Sequence, residues 1–162
     1  MEIKKHHILV GIIFLLTFVL RIYFNFQTDY FSSDKSYFML RQIENIQKTG
    51  RPIIFDDLSY SGRIHLFMPL YHYILGFFSL LASPVIIGKI IPQFLISLVP
   101  VIVFLISYQI SRNRTSSVIS SLLSGFIPIV LSETINSITH YSLILPCMFL
   151  VVYYLIEFGK DK

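Results

Sequence analysis

Long stretches without a charged residue most constrain how this chain folds. Acidic and basic residues are absent from 6–20, 66–88, 90–111, 115–132 and 134–156. A helix needs about 20 largely apolar residues to cross the ~30 Å hydrocarbon core of a bilayer. Only 14% of the residues are charged, against about 25% in an average soluble domain. These values exclude a soluble enzyme, a nucleic-acid binder and a disordered chain, and they predict an integral membrane protein.

The uncharged stretches predict one all-α integral membrane domain over 1–162 with about four transmembrane helices. The predicted spans are about 8–26, 88–111, 115–132 and 141–157, and the predicted external loop is 27–87. Stretch 66–83 mixes His, Tyr, Pro and Gly with apolar residues, so we expect an embedded or interfacial helix there. The first span follows a basic flank and lacks a small-residue cleavage site, which indicates an uncleaved signal anchor. Near its end, Arg21 is expected to extend to the membrane interface.

Short basic clusters set the expected orientation of the spans. They are Lys4 with Lys5, Arg112 with Arg114, and Lys160 with Lys162. Basic residues in short loops favour the cytoplasmic side, and four spans place all three clusters on that side. We therefore expect a multi-pass protein of the cell membrane whose N-terminus and C-terminus are both cytoplasmic. In a membrane protein the placement of Lys and Arg sets the orientation, so the formal net charge of +4 does not indicate nucleic-acid binding.

The first half of the external loop has the pattern of an amphipathic helix over 34–48. Ser32 or Ser33 is the expected N-cap. Apolar residues recur every three positions at Tyr37, Leu40, Ile43 and Ile46, and Gly50 followed by Pro52 ends the helix. We expect this stripe to lie on the outer membrane surface. Asp34 falls in the first turn, where the helix dipole favours an anion, so the local pattern alone indicates a helix-start acid.

Five short motifs follow the signal anchor in a recognisable order. They are Phe-Ser-Ser-Asp-Lys-Ser-Tyr-Phe at 31–38, Thr-Gly-Arg-Pro at 49–52, His-Leu-Phe-Met-Pro-Leu-Tyr-His at 65–72, Tyr-Gln-Ile-Ser-Arg-Asn-Arg at 108–114 and Gly-Phe-Ile-Pro at 125–128. This order resembles the N-terminal module of the GT-C superfamily of polytopic membrane glycosyltransferases. That superfamily includes protein O-mannosyltransferase-like enzymes and oligosaccharyltransferase catalytic subunits. The resemblance covers most of the chain.

The resemblance implies transfer of a sugar from a polyprenyl-phosphate-linked donor to an acceptor on the external face. In that superfamily an acid just after the first span is a catalytic base or a metal ligand, and Asp34 is the residue that matches. The usual acidic pair is Ser33-Asp34 here. A second acid normally follows the proline that ends the third span. That position is His140 here, which makes His140 a candidate for contact with the substrate, for metal ligation or for proton transfer.

A divalent cation is the cofactor that the resemblance implies, and two sets of acids are candidates to hold it. Asp34 with Glu133, the only acid near His140, forms the first set. Asp56 and Asp57 with Asp34 form the second, because hard cations prefer carboxylate oxygens. The alternative for Asp56-Asp57 is a polar turn between loop elements.

Other polar residues of the loop are candidates for donor binding, each with a structural alternative. Arg41 and Arg63 either grip a lipid phosphate, because guanidinium matches phosphate oxygens bidentately, or contact lipid headgroups. His65 and His72 are seven residues apart and therefore on one helix face. They either line a donor pocket together or pack at the interface.

The length of 162 residues is short for an enzyme of that superfamily, which normally has several hundred. We expect a truncated or split N-terminal part that works with a downstream glycosyltransferase half or subunit. The expected partners are a lipid-linked sugar donor and membrane lipids, without nucleic acid. The alternatives are a non-catalytic multi-pass subunit or scaffold and, ranked below it, a transporter fragment.

Overall fold

The computed structural model describes residues 2–58, 61–65 and 69–159, and for 2–7 the backbone only. Eight helices and two short strands lie in this part of the chain. They are α1 Glu2–Asn25, α2 Asp34–Thr49, β1 Phe55–Asp56, β2 Arg63–Ile64, α3 Leu70–Phe78, α4 Pro84–Ser97, α5 Val99–Ser111, α6 Arg114–Gly125, α7 Pro128–Thr134 and α8 Tyr141–Phe158. The C-terminal basic cluster, Lys160 with Lys162, and 66–68 of the predicted embedded helix lie outside the described residues.

Apolar helices dominate the fold, as the uncharged stretches predict. Ile8–Asn25, Pro84–Ser111 and Tyr141–Phe158 are each long and apolar enough to cross a membrane. Arg114–Gly125 and Pro128–Thr134 meet at 41° and pass the same test together. The predicted all-α class is therefore confirmed, and the apolar helices are consistent with a membrane protein.

Prolines lie at the breaks within two apolar segments. The segment from Pro84 to Ser111 is divided at Leu98, and Pro100 lies in the first turn of α5. Between α6 and α7, Ile127 has an extended backbone (φ −62°, ψ 117°) and Pro128 begins the next helix. Proline disfavours the helical conformation of the residue before it and lacks an N–H to donate. The stretch predicted as one span over 115–132 is therefore two helices.

The ends of α2 agree closely with the prediction, but its N-cap does not. Gly50 adopts a left-handed conformation (φ 73°), and its N–H donates to the Ile46 carbonyl at 2.8 Å. Ser33 is the extended residue before the helix, yet its side chain makes no capping bond. The Ser36 N–H donates to the Ser33 backbone carbonyl instead, at 2.9 Å. A local turn therefore satisfies a donor that the hydroxyl was expected to satisfy.

The buried face of α2 differs from the predicted stripe. Its members are Ser36, Met39, Gln42, Ile43 and Ile46. Tyr37 is 39% exposed and lies outside this buried face, whereas Leu40 packs at the edge of the core. Gln42 is buried because its side chain donates to the Ile53 carbonyl at 3.0 Å and accepts from the Ile53 N–H at 2.7 Å. A buried side chain bonded on both sides escapes the cost of an unpaired polar group.

The segment between α2 and α4 is more divided than predicted. β1 and β2 pair antiparallel, with Asp56 opposite Arg63. In place of a helix over 66–83, the described residues contain the shorter helix α3. Ser83 then accepts from the Ile86 N–H at 3.4 Å, and Pro84 starts α4. A serine N-cap followed by proline thus begins a new helix directly after the predicted one.

A hydrophobic core joins α2, α3, α4 and the loop before α8. Its buried members are Phe31, Met39, Ile43, Tyr71, Leu75, Ile87 and Ile138. At Gly76 of α3, an added Cβ would lie only 2.5 Å from Ile46 Cγ2 of α2. The absence of a side chain at this position allows the two helices to approach closely. The core fixes α2 and α3, which carry most of the candidate site.

Candidate functional site

A group of hydrogen bonds, here called the Asn136 latch, ties the segment before α2 to the loop between α7 and α8. Asn136 has a left-handed backbone with φ 54°. Its side-chain amide donates to Thr28 Oγ1 at 2.8 Å and to the Tyr30 carbonyl at 2.7 Å. The backbone N–H and the hydroxyl of Ser32 donate to the Asn136 carbonyl, at 2.9 Å and 3.0 Å. Asparagine tolerates this conformation better than most residues.

A second contact between the same segments lies inside α2. The Ile138 N–H donates to Ser36 Oγ at 2.9 Å, and both residues are fully buried. With the Asn136 latch, this bond holds the first turn of α2 against the residues that precede α8. Asp34 and His140 consequently line the same cavities, although they are far apart in sequence.

The first cavity, here called the histidine cavity, has a volume of about 470 Å³. It is lined by Asp34, Lys35, Phe38, Met39, His65, His72 and His140. The first four come from one face of α2, because positions i, i+1, i+4 and i+5 are neighbours on a helix. The histidines come from the end of β2, from α3 and from the N-terminal end of α8.

The second cavity, here called the hydroxyl cavity, has a volume of about 880 Å³. Its lining includes four serines and a threonine: Ser32, Ser33, Ser132, Ser137 and Thr139. Asp34, Lys35, Met39 and His140 line both cavities. Glu133 of α7 lines the hydroxyl cavity only, so the structure brings Asp34 and Glu133 to one cavity.

Two histidines and a methionine form a compact wall of the histidine cavity. His72 is 1% exposed, and its Nε2 lies 2.8 Å from Met39 Sδ. The ring centroids of His72 and His140 are 5.2 Å apart. Tyr71 is buried behind them, with its ring centroid 5.5 Å from that of His140.

Burial controls the protonation of this wall. It lowers the pKa of His72 to about 4, with a smaller contribution from the neighbouring His140. Burial also lowers the pKa of His140, because the charged imidazolium loses solvation. The pKa of Tyr71 is raised by burial, against a smaller opposing effect of Ser142. Both imidazoles are therefore neutral near pH 7 and each keeps one nitrogen lone pair.

The arginines predicted to bind the donor lie elsewhere. Arg41 Nη2 is 2.6 Å from Asp56 Oδ1, and the Asp56 side chain is only 3% exposed. Asp56 Oδ1 also accepts from the Leu58 N–H at 3.2 Å. These bonds agree with the alternative of a polar turn. Arg63 is exposed on β2, and neither arginine lines the histidine cavity or the hydroxyl cavity.

Of the predicted site residues, the structure thus brings Asp34, His65, His72 and His140 to one cavity and adds Glu133 at the other. Within the described ranges, no group of three or more His, Cys, Asp or Glu side chains is close enough to hold a metal ion. Asp34 and Glu133 would therefore need further ligands from outside this set of side chains.

Sequence reasoning missed three residues of α2 that line the histidine cavity, namely Lys35, Phe38 and Met39. Their signal was available, because they share a helix face with Asp34. Phe38 also packs against His65, with ring centroids 4.8 Å apart and the rings tilted by 43°. Met39 was overlooked because apolar periodicity assigns a methionine to the core.

Two buried cations hold the first apolar helix against its neighbours. Arg21 is 3% exposed, so the predicted extension to the interface is wrong. Its Nη1 donates to Thr134 Oγ1 at 2.8 Å and to Gln93 Oε1 at 3.4 Å, which offsets the loss of water. Lys89 donates to the carbonyls of Asn25 and Thr28. These bonds fix the end of α1, from which the chain leads to Asp34.

Comparison with known proteins identifies no relative of this chain. No protein family, no curated protein and no solved structure matches the chain.

Proposed function

We propose that this chain is the N-terminal module of a GT-C-type glycosyltransferase of the cell membrane. The reaction is transfer of a sugar from a polyprenyl-phosphate-linked donor to an acceptor on the external face. In this proposal the four apolar segments cross the membrane, and both termini and 112–114 are cytoplasmic. A downstream glycosyltransferase half or subunit completes the enzyme.

The position of Asp34 is the observation that carries the proposal. It is an exposed carboxylate at the start of α2, shortly after the first apolar helix, and it lines both the histidine cavity and the hydroxyl cavity. Two adjoining cavities beside one carboxylate offer room for a donor sugar and an acceptor. The lysine next to it in sequence, Lys35, lines both cavities as well.

In the proposed reaction Asp34 acts as a general base. The acceptor hydroxyl gives its proton to the Asp34 carboxylate while the acceptor oxygen forms a bond to the anomeric carbon of the sugar. The bond between that carbon and the phosphate oxygen breaks, its electron pair stays on that oxygen, and polyprenyl phosphate leaves. Lys35 supplies positive charge beside the developing phosphate charge, and neutral His140 accepts a hydrogen bond from a sugar hydroxyl.

A divalent cation fits this site in a limited way. Mg²⁺ is commonly bound by one or two carboxylates together with substrate phosphates, and not by a cage of protein ligands alone. Asp34 and Glu133, which line one cavity, match that requirement. Such a cation would supply electrostatic stabilisation of the leaving phosphate.

The test is Asp34→Asn, with Asp57→Asn as the matched control, because Asp57 is also exposed but lines neither cavity. Sugar transfer from a polyprenyl-phosphate donor is measured in membranes that contain the chain together with its downstream partner. Loss of a general base costs about 10²–10⁴ in rate. A first-turn acid contributes only about 0.3–1 kcal/mol to a helix, so expression and insertion of Asp34→Asn should stay near wild type.

We expect Asp57→Asn to transfer sugar at close to the wild-type rate. Wild-type transfer by Asp34→Asn would refute the catalytic role of Asp34. Absence of any transfer by the wild-type assembly would refute the proposed reaction as a whole.

The second candidate is a non-catalytic multi-pass subunit or scaffold, and the exposure of α8 favours it. Only 11% of the apolar window in α8 is buried, which leaves a surface for lipid or for a helix of another polypeptide. A photoreactive amino acid at Val151, which is 58% exposed, tests this surface. Crosslinking to one protein, combined with wild-type transfer by Asp34→Asn, would favour the scaffold. Crosslinking to lipid alone would argue against it.

A further inference from the structure

The wall formed by Met39, His72 and His140 has a property that sugar transfer does not require. One thioether and two imidazoles come from three separate elements, α2, α3 and the N-terminal end of α8, and converge on one cavity. His72 Nε2 is 2.8 Å from Met39 Sδ, and the two imidazole centroids are 5.2 Å apart. Imidazole nitrogen and thioether sulfur are both metal-ligand atoms.

The spacing of the rings agrees with shared coordination. With a metal–nitrogen distance of about 2.0 Å and a ring centroid about 1.1 Å behind the nitrogen, two imidazoles at a trigonal or tetrahedral angle have centroids about 5.0–5.4 Å apart. The observed separation of 5.2 Å lies in that range. The sulfur must move outward by roughly 1 Å to admit an ion, and methionine can do so because it is unbranched and has three rotatable bonds.

We propose that Met39, His72 and His140 form a binding site for a soft monovalent metal ion of the Cu(I) class. Thioether sulfur selects soft ions, imidazole binds them as well, and hard ions such as Mg²⁺ prefer oxygen. Asp34 lines the same cavity and is the nearby anion that balances the added charge. His140 is the one ligand that also has a part in the proposed transfer, and none of the three is the proposed base.

The buried position of the wall favours a monovalent ion. His72 is 1% exposed, and a monovalent ion costs less to bury than a divalent one, because the desolvation penalty grows with charge.

Metal binding to the purified full chain tests the proposal without any sugar substrate. Ag(I) serves as the redox-inert probe in isothermal titration calorimetry, and Cu(I) is measured by competition with a chromogenic chelator. Both titrations use the Cys147→Ser background, because Cys147 is an exposed free thiol that would bind either ion. The expected result is one Ag(I) per chain, with no competition from Mg²⁺ and only weak competition from Zn²⁺.

Two variants and a matched control assign the ligands. Met39→Leu conserves volume and His140→Gln keeps a polar side chain, and each should weaken Ag(I) binding by more than the roughly 10–100-fold that a lost supporting contact costs. Met148→Leu is the matched control, since Met148 is 54% exposed on α8, and it should bind as the background does. Unchanged Ag(I) affinity in Met39→Leu would overturn the proposal and leave the sulfur a packing group.

X-ray absorption of the Ag(I)-loaded Cys147→Ser protein keeps the proposal testable if a variant fails to fold. One sulfur and two nitrogen scatterers in the first coordination shell are expected. A shell without sulfur would refute the thioether ligand. Failure of this site would leave the proposed role of Asp34 unaffected, because the two are measured by separate assays.

Discussion

Substitution of Gly76 by alanine is expected to force α2 and α3 apart. A Cβ at this position would lie 2.5 Å from Ile46 Cγ2 and 3.1 Å from Ile46 Cβ. The favourable separation of two carbon atoms is about 3.5–4.0 Å, so the helices must move by roughly 1 Å. The nearer atom belongs to a β-branched side chain with few alternative rotamers, which prevents it from turning away.

The magnitude follows from two opposing contributions. Overpacking a well-packed contact costs about 1–3 kcal/mol. Alanine in place of glycine within a helix returns about 0.5–1 kcal/mol. With mid-range values the net loss in the free energy of unfolding of Gly76→Ala is about 1 kcal/mol, which corresponds to a melting temperature lower by about 2–4 °C for a chain of this size.

Thermal unfolding in detergent micelles, followed by far-UV circular dichroism, measures this loss. Gly11→Ala is the matched control, because a Cβ at Gly11 meets nothing within 4 Å, and it should not lower the melting temperature. In the Ile46→Ala background, which removes the clashing Cγ2, the cost of Gly76→Ala should fall to about zero. Equal costs in the two backgrounds, or no cost in either, would refute the close approach of α2 and α3.

Two further outcomes test the contact between α2 and the loop before α8 and the proposed topology. Ser36→Ala should lower the free energy of unfolding by about 1–3 kcal/mol, because it leaves the buried N–H of Ile138 unpaired. The control Ser33→Ala should change the stability little. Equal melting temperatures of the two variants would contradict this prediction. Thr115→Cys, in a Cys147→Ser background, should not be labelled by a membrane-impermeant thiol reagent on intact cells but should react after lysis. Labelling of intact cells would overturn the proposed cytoplasmic position of 112–114.

Charge spacing was enough to predict where the apolar helices lie, but not how they bend. Uncharged stretches and their length depend on local sequence alone, and the predicted spans agree with α1, α4 with α5, and α8. The division of 115–132 into two helices follows from Pro128, which was visible in the sequence. Because neighbouring helices can satisfy the backbone groups that a proline frees, the sequence does not reveal which prolines bend a helix and which do not.

Buried polar residues were the least predictable part of the fold. Gln42 and Ser36 lie on the buried face of α2 because backbone groups of Ile53 and Ile138 bond them. Periodicity assigns polar residues to the exposed face, and it carries no information about a partner from a distant segment. Arg21 was misplaced for the same reason, since its partners lie on α4 and α7.

The candidate site was predictable residue by residue but not as a set. Asp34, His65, His72 and His140 were each chosen from residue type, spacing or resemblance, and they line one cavity. The role of Met39 was not visible, because its closeness to His72 depends on how α2 packs on α3. Arg41 was equally plausible from its charge, yet it pairs with Asp56. Deciding between phosphate binding and an ion pair for Arg41 required the position of a β-hairpin that the sequence did not predict.

The Asn136 latch has a consequence for the order in which the protein is made. Its bonds join residues 104–108 positions apart, between the segment before α2 and the loop before α8. At about 5–20 residues per second, a ribosome needs roughly 5–20 s to make 100 residues. For that time a nascent chain has α2 complete, but neither His140 nor the latch exists. The cavities beside Asp34 therefore assemble last, when the final apolar helix emerges, and a nascent chain stalled before residue 136 has no closed site.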